Sequence, residues 1–491
     1  MIRGIASGSM ALAAIILLGR AAGFLRDVQI GAFYGLSSSA DLAIVLLTAP
    51  DLLVSLLLAG GLSAALIPEF QRLDSSERSR LFSKLLVVVG GSFSLIALAI
   101  ALFPELLLAA FAPSYLANPP EAFARAASIS SIAIPLAGMV GVTTAYLNSQ
   151  SKFLIAGAGT IIFNATIIAA LAITGSDSIV VLAVAVASAA LLRFGSQIIA
   201  AWRTLRISPP FASVNTSKGL YSRFATALTA STVLILVPVI VRSVVSTTGD
   251  GNLAALSFAT KLLDLPVGVV IATISTVAFP LFARFHREGH AEQLSDFHRV
   301  TVQRSLAAAF AIAIPAIAFA PQIALAVFGY GRMKSSDVVH VAEMAQIILV
   351  SLPFIALGTV STTVLTARLQ TSQVLKLTLL ATSVLPFCFI AAKWSGDLRV
   401  YVGTLPVFHL VLAIFLAWGA GFRAWGPSGW LDRDLSAKIG ISSGLCFFAL
   451  LVVTKLELQS PYYVTAIALL LMGISLLLST RSVLTQANGA N

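Results

Sequence analysis

Residues 6–34 read ASGSMALAAIILLGRAAGFLRDVQIGAFY, an almost continuous apolar run that nevertheless contains two arginines and one aspartate. About 20 apolar residues are enough for a helix to cross the hydrocarbon core of a bilayer. The run therefore predicts a transmembrane helix. Arg3 precedes it, as in a signal peptide, but no small-residue cleavage site follows, so we interpret the run as a retained first span.

Apolar runs of this kind recur along the whole chain. Hydrophobic residues make up 58% of the sequence and charged residues 10%, whereas soluble domains are about 25% charged. We therefore predict an all-α polytopic membrane protein with about 14 transmembrane helices. The predicted spans are 6–34, 41–70, 83–111, 124–149, 153–174, 178–203, 221–246, 252–283, 301–328, 338–367, 374–393, 399–421, 436–454 and 461–480.

The distribution of basic residues predicts the topology. With the N-terminus inside, 20 Lys and Arg fall in cytoplasmic segments, 6 fall outside and 5 lie within spans. This positive-inside asymmetry predicts that both termini are cytoplasmic. It also accounts for the net charge of +11 without a nucleic-acid partner, because membrane lipids are the natural neighbours of cytoplasmic basic segments.

Three matches, which occur in the same order in the two halves of the chain, indicate an internal repeat. Each copy would hold six spans, an even number, so that the copies have the same orientation around a central cavity. We predict an N-lobe at 1–206, a C-lobe at 207–425 and two additional spans at 426–491. The matches are Pro68–Arg72 with Pro280–Arg284, Pro104–Phe111 with Pro321–Phe328, and Ala145–Ser149 with Ala367–Thr371.

Charged residues inside spans are the candidate site residues, because a charge near the bilayer centre costs about 2.5–3.5 kcal/mol on insertion scales. Arg20 lies about 15 residues into span 1, too deep for a side chain that reaches the helix end at a rise of 1.5 Å per residue. Asp27 shares its helix face. Arg26 and Asp27 have an alternative interpretation as a structural ion pair near the outer interface.

The second and eighth spans carry further charges. Lys261 and Asp264 are three residues apart on one face of span 8, where a mutually neutralised pair is the simpler interpretation. Asp51 follows a proline in the middle of span 2, whereas Asp41 begins that span and is equally explained as interfacial.

Two other arginines, Arg193 and Arg242, lie within reach of a helix end, and we predict structural, snorkelling roles for both. Together, the embedded charges leave the interior positive. A cationic cavity suits an anionic substrate, and arginine binds phosphate groups in a bidentate way. The sequence thus favours a transporter of a diphosphate-linked molecule.

The sequence offers little support for other chemistry. No phosphate-binding G-x-x-x-x-G-K-[ST] loop occurs, so we expect no ATP hydrolysis and no enzymatic activity. Cys388 and Cys446 lie singly in apolar spans, which disfavours a disulfide or thiolate site. His286 and His290 have helical spacing but fit a solvated basic linker better than a metal site. We expect no cofactor, with the membrane potential or a monovalent ion as the driving force.

Several segments resemble the MurJ (MviN) lipid II flippases of the multidrug/oligosaccharidyl-lipid/polysaccharide exporter superfamily. The resemblance runs from span 1 to about span 12. The segments are Gly19-Arg20, Gly23-Phe-Leu-Arg26-Asp27, Ser39-Ala-Asp41, Ala49-Pro50-Asp51-Leu-Leu, Ser63 with Pro68, Leu147-Asn-Ser, Phe163-Asn164, Pro266 with Gly268-Val269, Pro280 and Phe328-Gly-Tyr-Gly-Arg332.

The resemblance implies fourteen helices, a central cationic cavity, and a groove formed with spans 13 and 14 for a polyprenyl tail. It also implies a bacterial inner-membrane flippase for a polyprenyl-diphosphate-linked glycan, with cell-envelope synthesis proteins as candidate partners. The residues that it implicates in substrate handling are Arg20, Arg26, Asp27, Asp41, Asn164 and Lys261, with Asp51, Ser63, Asp264 and Arg242 as secondary candidates.

The chain departs from the family pattern in span 2. Typical members have basic residues after a Pro-Asn-Leu-Leu segment, whereas this chain reads Pro50-Asp-Leu-Leu-Val54-Ser55, and Ala59 replaces a common acid. This departure favours an exopolysaccharide or O-antigen repeat unit as the alternative cargo to lipid II. A cation-coupled drug antiporter or a non-transporting envelope scaffold are further alternatives, and the basic interior disfavours the antiporter.

Overall fold

The structure is a computed structural model that describes residues 2–56, 62–202, 205, 220–421, 437, 439–446, 449 and 460–487. Side chains are described in the same ranges except at residues 2–14, 16, 62–65, 220–231 and 475–487. Within the described residues all regular secondary structure is helical, which confirms the predicted all-α class.

Contacts between residues divide the chain into two compact units, 1–254 and 255–491. The predicted domain boundaries after residues 206 and 425 remain predictions. The described helices that begin in the first unit are α1 Ile2–Tyr34, α2 Ser38–Leu56, α3 Leu62–Arg72, α4 Ser75–Leu102, α5 Glu105–Phe111, α6 Glu121–Ser130, α7 Ala133–Ser149, α8 Phe153–Thr174, α9 Ile179–Trp202, α10 Leu220–Ser246 and α11 Asn252–Pro266.

The second unit contains the remainder of α11 and a π-helical turn, Val267–Ile271, which follows Pro266 directly. The subsequent helices are α12 Ala272–Arg287, α13 Ala291–Ala318, α14 Ala320–Phe328, α15 Ser335–Leu349, α16 Ser351–Ala367, α17 Thr371–Thr382, α18 Val384–Ser395, α19 Leu398–Gly419 and α20 Pro461–Ala487.

Nine helical stretches in the described part of the chain are long and apolar enough to span a membrane, or ten if the bent pair α15 and α16 forms one span. The chain is therefore a multi-pass membrane protein, but the exact count of 14 is not confirmed. Predicted span 13, residues 436–454, lies mostly outside the described residues, and predicted span 2 is interrupted because residues 57–61 are not described.

Several predicted spans consist of two helices, and the breaks recur in both halves. Helix α4 ends at Leu102 and α5 begins after Pro104, while α13 ends at Ala318 and α14 begins at Ala320. Proline lacks the backbone donor that a continuing helix needs. The predicted match between Pro104–Phe111 and Pro321–Phe328 is thus confirmed at the level of local structure.

One register of the predicted repeat is wrong by four residues. Helices α7 and α16 are offset by 218 residues at both ends, whereas the match of Ala145–Ser149 with Ala367–Thr371 required 222. Ser151 and Leu369, also 218 residues apart, both adopt positive φ, at 60° and 61°. Four residues are close to one helical turn, so similar apolar faces align almost as well one turn out of register.

A basic side chain stabilises the end of a helix in each half. Lys152 donates from Nζ to the Ala200 carbonyl of α9 at 3.2 Å, and Arg368 donates to the Ala420 carbonyl after α19 at 3.0 Å. Carbonyls in the last turn of a helix have no partner within the helix, and cations at this end also interact favourably with the helix dipole. The two halves thus use the same device.

Candidate functional site

The centre of the candidate site in the first unit is Arg26, whose side chain is buried between two carboxylates. Its Nε donates to Asp27 Oδ1 at 2.9 Å, and Nη2 lies at 2.9 Å from the same oxygen. Its Nη1 donates to Asp51 Oδ2 at 3.1 Å. The sequence predicts the Arg26–Asp27 contact, which joins neighbouring residues, but not the contact with Asp51 in α2.

The glycines of α1 bring this helix close to α8. A Cβ on Gly19 would lie 3.4 Å from Thr160, and one on Gly23 would lie 3.5 Å from the amide of Asn164. Asn164 is buried and donates to the Thr160 carbonyl at 3.0 Å. Small residues at this spacing permit close approach of two helices, so the sequence positions Asn164 against span 1, which also carries Arg26.

Arg193 differs from its prediction as a snorkelling residue. It is only 5% exposed, and its guanidinium lies over the Phe163 ring at 6.0 Å. Its Nη2 donates to Thr160 Oγ1 at 3.3 Å, while Nε has no hydrogen-bond partner within the described part of the chain. The snorkelling interpretation is wrong because α9 packs against α8 along its length, which holds this side chain inside the unit.

A small cavity separates Arg193 from Asp51. Its walls also include Pro50 and Phe163. The free volume is about 10 Å³ for the centre of a water molecule, which is room for about one water. Asp51 therefore contacts Arg26 and also lines a cavity whose wall includes Arg193.

A buried polar network centred on Gln197 lies next to Arg193. Gln197, one turn further along α9, accepts from Thr143 at 2.5 Å and donates to Thr144 at 3.1 Å and to the Ala156 carbonyl at 3.2 Å. A Cβ on Gly159 would lie 2.8 Å from Gln197 Nε2 and 3.2 Å from Arg193 Cγ. The glycine thus leaves room for both side chains against α8.

Asp41 has a clear structural role. It is fully buried and accepts from the backbone N–H groups of Gly251 at 2.8 Å and Ala254 at 2.7 Å. The Tyr115 hydroxyl donates to it at 2.8 Å and lies 3.2 Å from Asp250. Asp41 therefore supplies, from another helix, the anion that caps the start of α11.

The loop residue Tyr115 is suited to donate to that carboxylate. Burial, together with the charges of Asp41 and Asp250, raises the pKa of Tyr115 well above its usual value. The phenol therefore keeps its proton. Gly251 adopts φ +81°, and a Cβ there would lie 2.9 Å from the carbonyl carbon of Leu36, so this close approach requires glycine.

The second unit has a looser charge pair. Lys261 Nζ lies 3.8 Å from Asp264 Oδ2 on the same helix, and the two side chains are 29% and 55% exposed. The sequence predicts this pair from the spacing of three residues, and the structure confirms that the two charges are close.

For three further predicted substrate residues, the structure gives less detail about their contacts. Arg20 is exposed, and no ion pair in the described part of the chain involves it. Arg242 is partly buried in α10 and interacts with neighbouring groups. The side chain of Ser63 lies outside the described residues. Roles for all three in substrate handling remain predictions.

Sequence reasoning missed Arg193 and Tyr115 as members of polar clusters. Tyr115 follows a short loop after span 3, and nothing near it in sequence indicates a partner 74 residues away. For Arg193, the signal is the absence of an acid within four residues on α9. Arg193 has no acidic partner nearby in sequence, and α9 packs against other helices on both faces. Such a cation is expected to contact a residue of another helix.

Comparisons of the sequence with a family model and with individual proteins all match lipid II flippases. The family model described as lipid II flippase MurJ matches residues 31–422. A probable lipid II flippase MurJ of Haemophilus influenzae is 26% identical over 349 residues, 66% of this chain and 68% of that protein. A second, of Buchnera aphidicola, is 24% identical over 346 residues, 67% of each chain.

Solved structures show the same fold. A lipid II flippase MurJ in an inward closed conformation superposes with a TM-score of 0.79 at 16% identity, covering 97% of this chain and 100% of that chain. An inward-facing multidrug resistance MATE family transporter reaches 0.67 at 14% identity, covering 84% and 97%. Because the family model spans most of the sequence, from residue 31 to residue 422, this chain belongs to the lipid II flippase MurJ family.

Proposed function

We propose that this chain moves lipid II from the cytoplasmic to the outer leaflet of the bacterial plasma membrane by alternating access, with both termini in the cytoplasm. The observation that carries the proposal is the family match over residues 31–422. In this proposal the chain acts as a transporter and not as an enzyme, because translocation neither breaks nor forms a covalent bond in the substrate.

The buried guanidinium of Arg26 supports a role in binding the diphosphate. Arginine recognises phosphate oxygens with two parallel hydrogen bonds, and the three guanidinium nitrogens of Arg26 already contact the carboxylate oxygens of Asp27 and Asp51. Arg20 lies on the same helix as Arg26 and adds positive charge to it, and Asn164 lies against that helix. The family resemblance also implies a role in substrate handling for Lys261. The polyprenyl tail stays among the membrane lipids throughout.

The membrane potential supplies the driving force in this proposal. Moving one charge through the potential is worth about 2.3 kcal/mol per 100 mV, so two negative charges that leave a negative interior gain about twice that amount. The direction suits export. Dissipating the potential in cells that depend on this chain should lower the outward-to-inward ratio of lipid II, and an unchanged ratio would contradict this driving force.

Complementation tests the substrate. Cells depleted of their own lipid II flippase should grow when they express this chain. They should fail to grow with Arg26→Gln, although immunoblots show the variant in the membrane at the normal level. Failure of the unaltered chain at normal expression would contradict lipid II as cargo and favour an exopolysaccharide or O-antigen unit, in line with the span-2 sequence Pro50-Asp-Leu-Leu.

A further inference from the structure

Arg26 is already held by two carboxylates in this structure. Its Nε and Nη2 contact Asp27, and its Nη1 contacts Asp51. One guanidinium and two carboxylates carry a net charge of −1, which repels a second anion. Binding of a diphosphate at Arg26, as the proposed function requires, is therefore more favourable when one carboxylate moves away.

Asp51 is the carboxylate that is free to move. Asp27 is the chain neighbour of Arg26 on the same helix, and its side chain is 4% exposed. Asp51 belongs to α2, makes a single contact with Arg26 at 3.1 Å, and has a side chain that is 42% exposed. Moving Asp51 breaks one contact with Arg26 and displaces a partly exposed side chain, whereas moving Asp27 breaks two contacts and displaces a buried one.

A second cation faces the same cavity as Asp51. Arg193 is 5% exposed and makes no ion pair within the described residues, and its Nε lacks a hydrogen-bond partner there. Asp51 is the carboxylate among the described residues that line this cavity. An unpaired buried charge is costly, so Arg193 gains more from a carboxylate than a solvated arginine would.

We propose that Asp51 is a movable counter-ion that pairs with Arg26 in the substrate-free protein and transfers to Arg193 when a diphosphate occupies Arg26. This inference rests on the proposed function. The transfer leaves a neutral Arg26–Asp27 pair at the diphosphate and neutralises Arg193 at the same time. Asp51 and Arg193 are thus positioning residues that act on the substrate through Arg26.

A binding cycle with undecaprenyl diphosphate as the probe tests the transfer in the purified full chain. Arg193→Gln should weaken binding about tenfold, which corresponds to about 1.4 kcal/mol, because Asp51 then stays on Arg26. Asp51→Asn should bind at least as tightly as the unaltered chain, and the double variant should match Asp51→Asn. An equal tenfold loss from Arg193→Gln in the Asp51→Asn background would overturn the proposal.

Two variants guard against a purely structural effect. Arg193→Lys keeps the buried charge and should retain binding within about threefold of the unaltered chain; a tenfold loss there would contradict the proposal. If Arg193→Gln fails to fold, the binding of the probe by Asp51→Asn tests the proposal by itself. Binding at least as tight as in the unaltered chain is the expected result. Binding that is tenfold weaker would overturn the proposal, because it would show that Asp51 helps to hold the diphosphate.

A cycle without substrate separates this inference from the proposed function. In Arg26→Gln protein, Arg193 is the cation that lines the same cavity as Asp51 within the described residues. The coupling between Asp51→Asn and Arg193→Gln in the apparent unfolding temperature should therefore exceed the coupling measured with Arg26 present, by at least about 2 °C. Equal coupling in both backgrounds would refute the transfer, whereas absence of probe binding by the unaltered chain would refute the proposed function.

Discussion

The charges of the first unit and those of the second are held in different ways. Arg26 is buried and bonded to carboxylates on two helices, whereas Lys261 and Asp264 are partly exposed, 3.8 Å apart and on one helix. The first arrangement depends on tertiary packing, and the second exists wherever its helix forms. Substitutions should therefore affect stability strongly in the first unit and weakly in the second.

The largest effect is expected at Arg26. Removing one partner of a buried ion pair costs about 3–5 kcal/mol, and Arg26→Gln leaves both Asp27 and Asp51 without their cation. We expect loss of growth in the complementation assay and a lower apparent unfolding temperature. Arg26→Lys should restore little growth, because one ammonium group cannot replace the planar fork. Full rescue by Arg26→Lys would show that only the charge matters.

The cap at Asp41 should give the next largest effect. Asp41→Ala removes the acceptor for two backbone N–H groups and the Tyr115 hydroxyl, and we expect a loss of about 3 kcal/mol in the free energy of unfolding. Tyr115→Phe removes a single donor and should cost about 1 kcal/mol. Chemical denaturation of the purified chain measures both values. If Asp41→Ala kept full stability while abolishing transport, its role would be in substrate handling instead.

A smaller loss of stability is expected at Gly159, where a Cβ would crowd Gln197 and Arg193. Gly159→Ala should cost about 1–2 kcal/mol through displacement of these buried side chains. Gly195→Ala is the matched control, because no atom lies within 4 Å of its Cβ position and alanine favours the helix. Equal unfolding temperatures for the two variants would contradict the packing described around Arg193.

The weakest effect on stability is expected in the second unit. Lys261→Gln and Asp264→Asn should each change the free energy of unfolding by less than about 0.5 kcal/mol, since exposed pairs contribute little. Lys261→Gln should nevertheless reduce growth in the complementation assay, because the family resemblance implies that this base handles substrate. A large drop in stability with unchanged growth would reverse the contrast between the two units.

The contrast also shows how far sequence alone leads. The Lys261–Asp264 and Arg26–Asp27 pairs are local, so spacing along the chain predicts them, and the shared helix breaks near Pro104 and Pro321 follow from proline chemistry. Those features need no knowledge of how helices pack. The family resemblance, carried by motifs that run from span 1 to Phe328-Gly-Tyr-Gly-Arg332, is likewise confirmed by the family match over residues 31–422.

Long-range contacts account for what sequence could not predict. The Arg26–Asp51 contact joins two spans, the Asp41 contacts reach across 210 and 213 residues, and the burial of Arg193 depends on the packing of α9 on α8. Helix–helix packing among similar apolar faces leaves no trace in local spacing. The same ambiguity explains the four-residue error in the third match of the repeat.

Translocation of lipid II with Arg26 as a diphosphate ligand is the central proposal for this chain. The direct measurement is the fraction of lipid II exposed on the outer face of the plasma membrane in cells whose only flippase is this chain. We predict a substantial exposed fraction with the unaltered chain and a fall to the level of flippase-depleted cells with Arg26→Gln. An exposed fraction no higher than in depleted cells for the unaltered chain, or one unaffected by Arg26→Gln, would contradict the account.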